Sequence, residues 1–274
     1  MTYKTILVHV DASERCRARI AIAMRLAREF EARLVGLYAR EPVVLPSYVS
    51  AQPVIVEHVR RAAAEDAAAA ESTFTQAVAA GDLAGAEFRT AAADAAGAVS
   101  LHARYADLVV LGQRDAEAKP AVDAGFVEKV LFAAGRPVLT VPCVGTFDAL
   151  GKQILVAWDA GREAARAVTD AIPLLRRADV VQLITVNPEG GAHGDIPGAD
   201  IALYLTRHGV RVEVKIERAV DIDVGNMLLS RAADLGIDLI VMGAYGHSRV
   251  REYVMGGATR TLLDTMTVPV LMSH

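Results

Sequence analysis

The fold is decided by a largely apolar run that occurs twice, as KQILVAWD at residues 152–159 and as KTILVHVD at residues 4–11. Each run ends at an aspartate, and an apolar run of this kind is typical of a strand buried on both faces of a parallel sheet. Two further pairs of segments match in the same order. They are ADLVVLG at 106–112 with IDLIVMG at 237–243, and RPVL at 136–139 with VPVL at 268–271. Three matched landmarks in one order predict two diverged copies of one domain.

The boundary between the copies is predicted between Val144 and Leu150, in a short segment flanked by Gly145 and Gly151. A chain of 274 residues accommodates two domains of typical size. We therefore expect one domain over residues 1–144 and a second over 151–274.

Strands and helices alternate along each half, and the second half shows this most clearly. Residues 179–186, for example, are rich in β-branched side chains, as strands are. Such alternation predicts a doubly wound α/β fold with a parallel sheet in each half. The first half repeats the order and contains a long alanine-rich helix at 57–80. In the second half we predict strands at 152–158, 179–186, 210–218, 238–243 and 269–273, and helices at 162–176, 199–208, 223–235 and 257–265.

Composition excludes several classes of protein. Hydrophobic residues make up 53% of the chain, which is ample for packed cores, and the formal net charge of -4 argues against binding nucleic acid. No apolar run approaches the length of a membrane span and the start of the chain lacks a signal peptide, so we expect a cytoplasmic protein that is not bound to a membrane. Cys16 and Cys143 have no CxxC neighbour and are expected to be structural or incidental thiols.

Ligands of doubly wound sheets bind at the carboxyl ends of the strands. Four residues end predicted strands and are therefore placed at this edge: Asp11, Asp159, Gly112 and Gly243.

The segment from Gly243 to Thr259 is the most informative for function. Its glycines at 243, 246, 256 and 257 allow the backbone to approach a ligand closely, and the helix that follows presents free N–H groups suited to an anion. His247, Arg249 and Arg251 add hydrogen-bonding or positive groups. The segment is neither a Walker A loop, since Gly-Lys-Ser/Thr is absent, nor the dinucleotide fingerprint, since its spacing differs.

The spacing Gly-x2-Gly-x9-Gly resembles that of the universal stress protein family, and the resemblance covers the whole chain as two domains in tandem. It implies a five-stranded parallel sheet between helices in each half, with paired domains meeting through their last strands, here 137–141 and 269–273. It also implies that ATP is held by residues at these positions: Asp159, Thr185 or Val186, Gly243, Gly246, Gly256, Gly257 and Ala258. We add His247 to this set for its hydrogen-bonding group, and Mg²⁺ as a companion that ATP could bring.

The chain departs from the family pattern in both halves. In the second half Gly257 replaces a hydroxyl residue, and Trp158 precedes Asp159, where it could stack on a base or obstruct it. In the first half Asp115 replaces the second glycine, and a carboxylate there would repel phosphates. We therefore expect one nucleotide per chain, in the second half, with the first half mainly structural.

Rival chemistry is less well supported. Gly246-His247-Ser248 has the start of a hydrolase elbow, but Arg249 and Val250 follow where a small residue is required. The histidines show no metal-binding spacing, and no side chain is an obvious general base for ATP hydrolysis, so hydrolysis is expected to be slow at most.

Two functions remain open. One is a nucleotide-binding stress or regulatory protein, and the other is a nucleotide-independent module that binds a protein partner or a second copy of the chain.

Overall fold

The computed structural model describes residues 2–40, 53–115, 122–188, 196–246 and 257–274. The chain divides into two compact units, one formed by residues 3–134 and the other essentially by residues 135–274. In the described part of the chain, no helix is both long enough and apolar enough to cross a membrane.

The first unit contains four parallel strands among its described residues, in the order β3-β2-β1-β4. Helices separate consecutive strands along the chain, so the unit has the predicted alternation. Its elements are β1 (Thr5–Val10), α1 (Cys16–Phe30), β2 (Arg33–Ala39), α2 (Pro53–Ala80), β3 (Glu87–Ala91), α3 (Ala95–Ala103), β4 (Leu108–Gly112) and α4 (Phe126–Ala134).

The second unit contains the ligand edge described below. Its strands lie in the order β5-β10-β9-β6-β7-β8, and every neighbouring pair is parallel except β5 with β10. The elements are β5 (Val138–Val141), β6 (Gln153–Ala157), α5 (Arg162–Leu175), β7 (Val180–Val186), α6 (Ala199–Arg207), β8 (Val212–Glu217), α7 (Val224–Asp234), β9 (Leu239–Gly243), α8 (Ala258–Thr265) and β10 (Val270–Ser273).

The predicted α/β class is confirmed, and the second repeat has the expected five parallel strands. The fifth strand of the first repeat, β5, belongs to the second compact unit, where it pairs antiparallel with β10 and Thr140 lies opposite Val270. The last strands of the two repeats therefore meet, as the family resemblance implies. Consequently the compact units divide at a different residue from the sequence repeats.

The repeated apolar runs form the centre of each sheet. Neighbouring side chains of a strand point to opposite faces of the sheet, and both are buried here: Ile6 and Leu7 in β1 are 0% and 1% exposed, and Ile154 and Leu155 in β6 are 0% exposed. Both faces of these strands are therefore covered, so side chains of either orientation must be apolar. This requirement explains why the runs are preserved between the two repeats.

Helix α2 is the longest of the described helices, and most of it is exposed. It begins at Pro53, earlier than predicted, and only Ala70 and Phe74 are buried among its described side chains. The Phe74 ring fills the space over Gly36, where a Cβ atom would come within 2.6 Å of it. Packing therefore holds the helix near its C-terminal end, while the high helix propensity of alanine supports the remainder.

Asp107 and Asp238 occupy matching positions in the repeated segments 106–112 and 237–243, and they have the same structural role. The Asp107 carboxylate accepts hydrogen bonds from the backbone N–H groups of Lys4 (2.7 Å) and Thr5 (2.9 Å), at the start of β1. The Asp238 carboxylate accepts from Gly151 (2.8 Å) and Lys152 (2.9 Å), at the start of β6. Each aspartate thus fixes the start of the central strand of its sheet.

We predict that Asp238→Ala lowers the free energy of unfolding of the second unit by about 1–3 kcal/mol, because partly buried N–H groups lose their acceptor. Urea denaturation followed by circular dichroism measures the change. Asp179→Ala, at an exposed aspartate beside the same strand, is the control and should have little effect. Equal stability of the two variants would show that Asp238 has no such role.

Candidate ligand site at the carboxyl edge of the second sheet

A cavity of about 510 Å³ opens at the carboxyl ends of β6, β7 and β9. This is the edge at which the sequence predicted a ligand. Its volume lies within the range usual for small-molecule sites. Two of its sides differ in chemistry, one being apolar and the other formed by glycines and backbone.

The apolar wall comes from strand ends and from helix α7. Side chains of one strand alternate between the two faces of a sheet, so Ile184 and Val186 of β7 reach the cavity together. Trp158, directly after β6, lines the cavity as well. We use the term apolar wall for Ile184, Val186, Ile222, Val224, Leu228 and Met242.

Two polar residues fix the rim of the apolar wall. Asn187 has a left-handed backbone (φ 45°), and its side-chain amide makes reciprocal hydrogen bonds with the backbone of Ala219. The Asp223 carboxylate caps α7 by accepting from the N–H groups of Gly225 (2.8 Å) and Asn226 (3.2 Å). The loop before α7 is thereby held against the end of β7.

The turn between β6 and α5 places Asp159 at the mouth of the cavity. Asp159 is exposed and lines the cavity, and its carboxylate accepts a hydrogen bond from the N–H of Gly161 (2.8 Å). Ala160 between them adopts a left-handed backbone with φ 60°. The turn therefore ends the central strand and starts α5 within a few residues.

The glycine end of the cavity consists of Gly243, Gly246 and Gly257. A Cβ atom at Gly243 would lie only 2.6 Å from the carbonyl carbon of Glu163 and would also contact the nitrogen of Ala164. A glycine is therefore required at the end of β9, since the first turn of α5 lies directly against it. At Gly246 a Cβ atom would lie 2.9 Å from Glu163 Oε2 and 3.6 Å from Asp159 Oδ2.

Helix α8 begins at this end of the cavity. Gly257 is its N-cap residue, and Ala258 and Thr259 of its first turn line the cavity. The hydroxyl of Thr259 accepts a hydrogen bond from the N–H of Tyr245 (3.2 Å), which joins the helix to the loop that leaves β9. The N–H groups at the start of a helix carry partial positive charge, so this end suits an anion.

The structure brings six of the predicted residues around one cavity and separates Thr185 from them. Thr185 is fully buried on the opposite face of β7. A Cβ atom at Gly198 would lie 3.4 Å from its Oγ1 atom on that face. His247 and Gly256 fall outside the described residues, as do Arg249 and Arg251. Over the described ranges, no group of three or more His, Cys, Asp or Glu side chains is arranged to hold a metal ion. The six residues on the cavity are Asp159, Val186, Gly243, Gly246, Gly257 and Ala258.

Sequence reasoning missed the contribution of α7 and of Glu163. The pattern Asp223 before an amphipathic helix is an N-cap signal, but it does not reveal that α7 lines the same cavity as the end of β7. Glu163 follows an arginine at the start of α5 and was indistinguishable from a solvated charge. It is only 3% exposed.

The sequence model of the Universal stress protein family matches residues 2–142 and 151–274. Universal stress protein Slr1230 of Synechocystis sp. is 27% identical over 171 residues, which are 60% of this chain and 57% of that protein. The chain thus matches little more than half the length of this relative. A universal stress protein from Archaeoglobus fulgidus has the same fold, with a TM-score of 0.74 at 17% identity over 98% of this chain and 95% of that one. A universal stress protein from Pseudomonas aeruginosa gives 0.61 at 16% identity, over 99% and 93%.

The corresponding edge of the first unit contains a buried ionic cluster. Asp11 and Arg19, which are 8% and 3% exposed, form an ion pair of 2.8 Å. The Arg19 guanidinium contacts the position that a Cβ atom at Gly112 would occupy, and its Nε donates to the carbonyl oxygen of His9 (2.7 Å). A side chain of the protein itself therefore occupies the space beside the strand-ending glycine.

His9 belongs to this cluster and carries a depressed pKa. Burial, followed by the charge of Arg19, lowers the pKa of His9 from 6.5 to about 4, against a smaller opposing effect of Asp11. The folded protein thus holds His9 neutral at pH values where an unfolded chain would protonate it. The pKa of Asp11 is lowered as well, and for a carboxyl group this favours the charged form. Burial opposes its ionisation, but the charges of Arg19 and His9 and two hydrogen bonds from Ser13 together outweigh burial and lower its pKa to about 2.

We predict that the first unit loses stability as the pH falls from 6.5 towards 4. In this window the unfolded chain binds a proton at His9 that the folded chain excludes, so the free energy of unfolding falls by about 1.4 kcal/mol per pH unit. The stabilisation by Asp11 is lost only below its unfolded pKa of 3.8. Denaturation at several pH values should show a shallower slope in His9→Gln. Equal slopes in this variant and the parent would contradict the assignment.

Proposed function

The chain belongs to the universal stress protein family, and from this premise we propose that its second half binds one adenine nucleotide in the cavity at the carboxyl edge of the sheet. One observation carries the proposal. A single cavity combines an apolar wall with a glycine end onto which a helix N-terminus opens. These are the two environments that the base and the phosphate of one nucleotide require.

The apolar wall would receive the adenine. Its aliphatic side chains offer apolar surface, and Trp158 offers an aromatic face on which a base can stack. The Asn187 amide makes two hydrogen bonds to the backbone of Ala219, and these help to hold the wall in position.

The glycine end would receive the phosphate. The chain has no side chain at Gly246 or Gly257, so backbone N–H groups can approach an anion closely. The partial positive charge at the start of α8 adds a favourable interaction there. Phosphate recognition would thus rest on backbone donors rather than on a lysine of the Walker type.

A Mg²⁺ ion bound with ATP would find one suitable oxygen ligand on the exposed carboxylate of Asp159. Magnesium in nucleotide sites commonly takes one or two carboxylates together with phosphate oxygens and water. The function that we propose is binding, as a nucleotide-dependent stress-response or regulatory protein, and it does not depend on hydrolysis.

Gly246→Asp is predicted to abolish or greatly weaken nucleotide binding. Like charges about 4 Å apart repel by roughly 4 kcal/mol at an effective dielectric constant of 20, and even half of this weakens binding more than tenfold. Calorimetric titration of the full chain with AMP and with ATP measures the effect, and the parent should bind one nucleotide per chain.

Ala69→Asp, which adds the same charge at an exposed position of α2, is the matched control and should bind like the parent. Circular dichroism must first show that both variants are folded. Undiminished binding by folded Gly246→Asp would exclude this cavity as the phosphate site. Absence of nucleotide binding by the parent would favour the nucleotide-independent interaction module.

A further inference from the structure

A buried carboxylate lies against the glycine end of the cavity. Glu163 is 3% exposed. Its Oε2 atom is 2.9 Å from the place that a Cβ atom would occupy at Gly246, a residue that lines the cavity. The backbone of Glu163 lies against the end of β9, because a Cβ atom at Gly243 would be only 2.6 Å from the Glu163 carbonyl carbon. The start of α5 is therefore packed against the end of β9, and in this arrangement the Glu163 carboxylate faces the glycine end.

The charged groups around Glu163 come from three parts of the unit. Arg162, in the same turn, donates a hydrogen bond from its Nε to Glu163 Oε1, although its own side chain is 86% exposed. Asp159, in the turn before α5, lies near Gly246 as Glu163 does. His274, after β10, is close enough to act on Glu163 electrostatically. Burial opposes ionisation of Glu163, but Arg162, its backbone hydrogen bond and His274 together lower its pKa, so the carboxylate is charged at neutral pH.

We propose that Glu163 selects against ligands with more negative charge, so that the site prefers a nucleotide with one phosphate to one with two or three. The proposal rests on the proposed function, because it requires the phosphate to lie at the glycine end. Each further phosphate adds negative charge near two carboxylates, Asp159 and Glu163. Glu163 is shielded from water, and among the described residues Arg162 and His274 are the groups that compensate its charge.

Calorimetric titration of the full chain with AMP, ADP and ATP tests this, with a chelator present so that no divalent cation neutralises the phosphates. The parent should bind AMP roughly tenfold or more tightly than ATP. Glu163→Gln, which keeps the shape and a hydrogen-bond acceptor for Arg162, should tighten ATP binding by roughly tenfold and change AMP binding much less. Arg162→Gln should weaken ATP further relative to AMP, because Glu163 then lacks its counter-charge.

Glu71→Gln removes one charge from an exposed position of α2 and should leave all three affinities unchanged. If the parent binds ATP as tightly as AMP and Glu163→Gln leaves their ratio unchanged, the charge selection is wrong while nucleotide binding stands. If none of the chains binds any of the three nucleotides, the proposed function fails and this inference fails with it. Should Glu163→Gln not fold, Arg162→Gln decides the matter, since an unchanged ratio in that variant overturns the inference.

Discussion

The ligand edge of the second unit depends on one close contact, between the end of β9 and the first turn of α5. Only a residue without a side chain fits at Gly243, since a Cβ atom there would collide with the backbone of Glu163 and Ala164. This contact brings the start of α5 up to the loop that leaves β9. As a result Asp159 and Glu163 both lie beside Gly246. Most of the chemistry that we assign to the cavity follows from that approach.

The same constraint has a different outcome in the first unit. Gly112 ends β4 as Gly243 ends β9, but the guanidinium of Arg19 lies where its side chain would be. Arg19 also pairs with Asp11, the counterpart of Asp159. In the first repeat the strand-ending aspartate is buried and paired with an arginine, whereas in the second it is exposed at a cavity. This difference supports a division of labour in which the first repeat is mainly structural.

Much of the fold could be predicted because it depends on local patterns: apolar runs ending in aspartate, and glycines at strand ends. Other features depend on tertiary contacts. The sequence left Thr185 and Val186 as alternatives, because alternation along a strand allows only one of them to face the cavity and does not say which. Glu163 sits among charged residues in sequence, and only the packing of α5 on Gly243 shows that it is buried. The pairing of β5 with β10 followed from the family resemblance, but the grouping of β5 with the second compact unit did not.

Trp158 offers the most direct test that the cavity is the nucleotide site, because it is the only tryptophan of the chain and it lines the cavity. Its fluorescence, excited at the red edge of tryptophan absorption where adenine does not absorb, reports on this place alone. Titration of the full chain with AMP should change the emission in a saturable way, with the same midpoint as the calorimetric binding curve. Calorimetric binding without any change in Trp158 emission would place the nucleotide elsewhere and contradict the account.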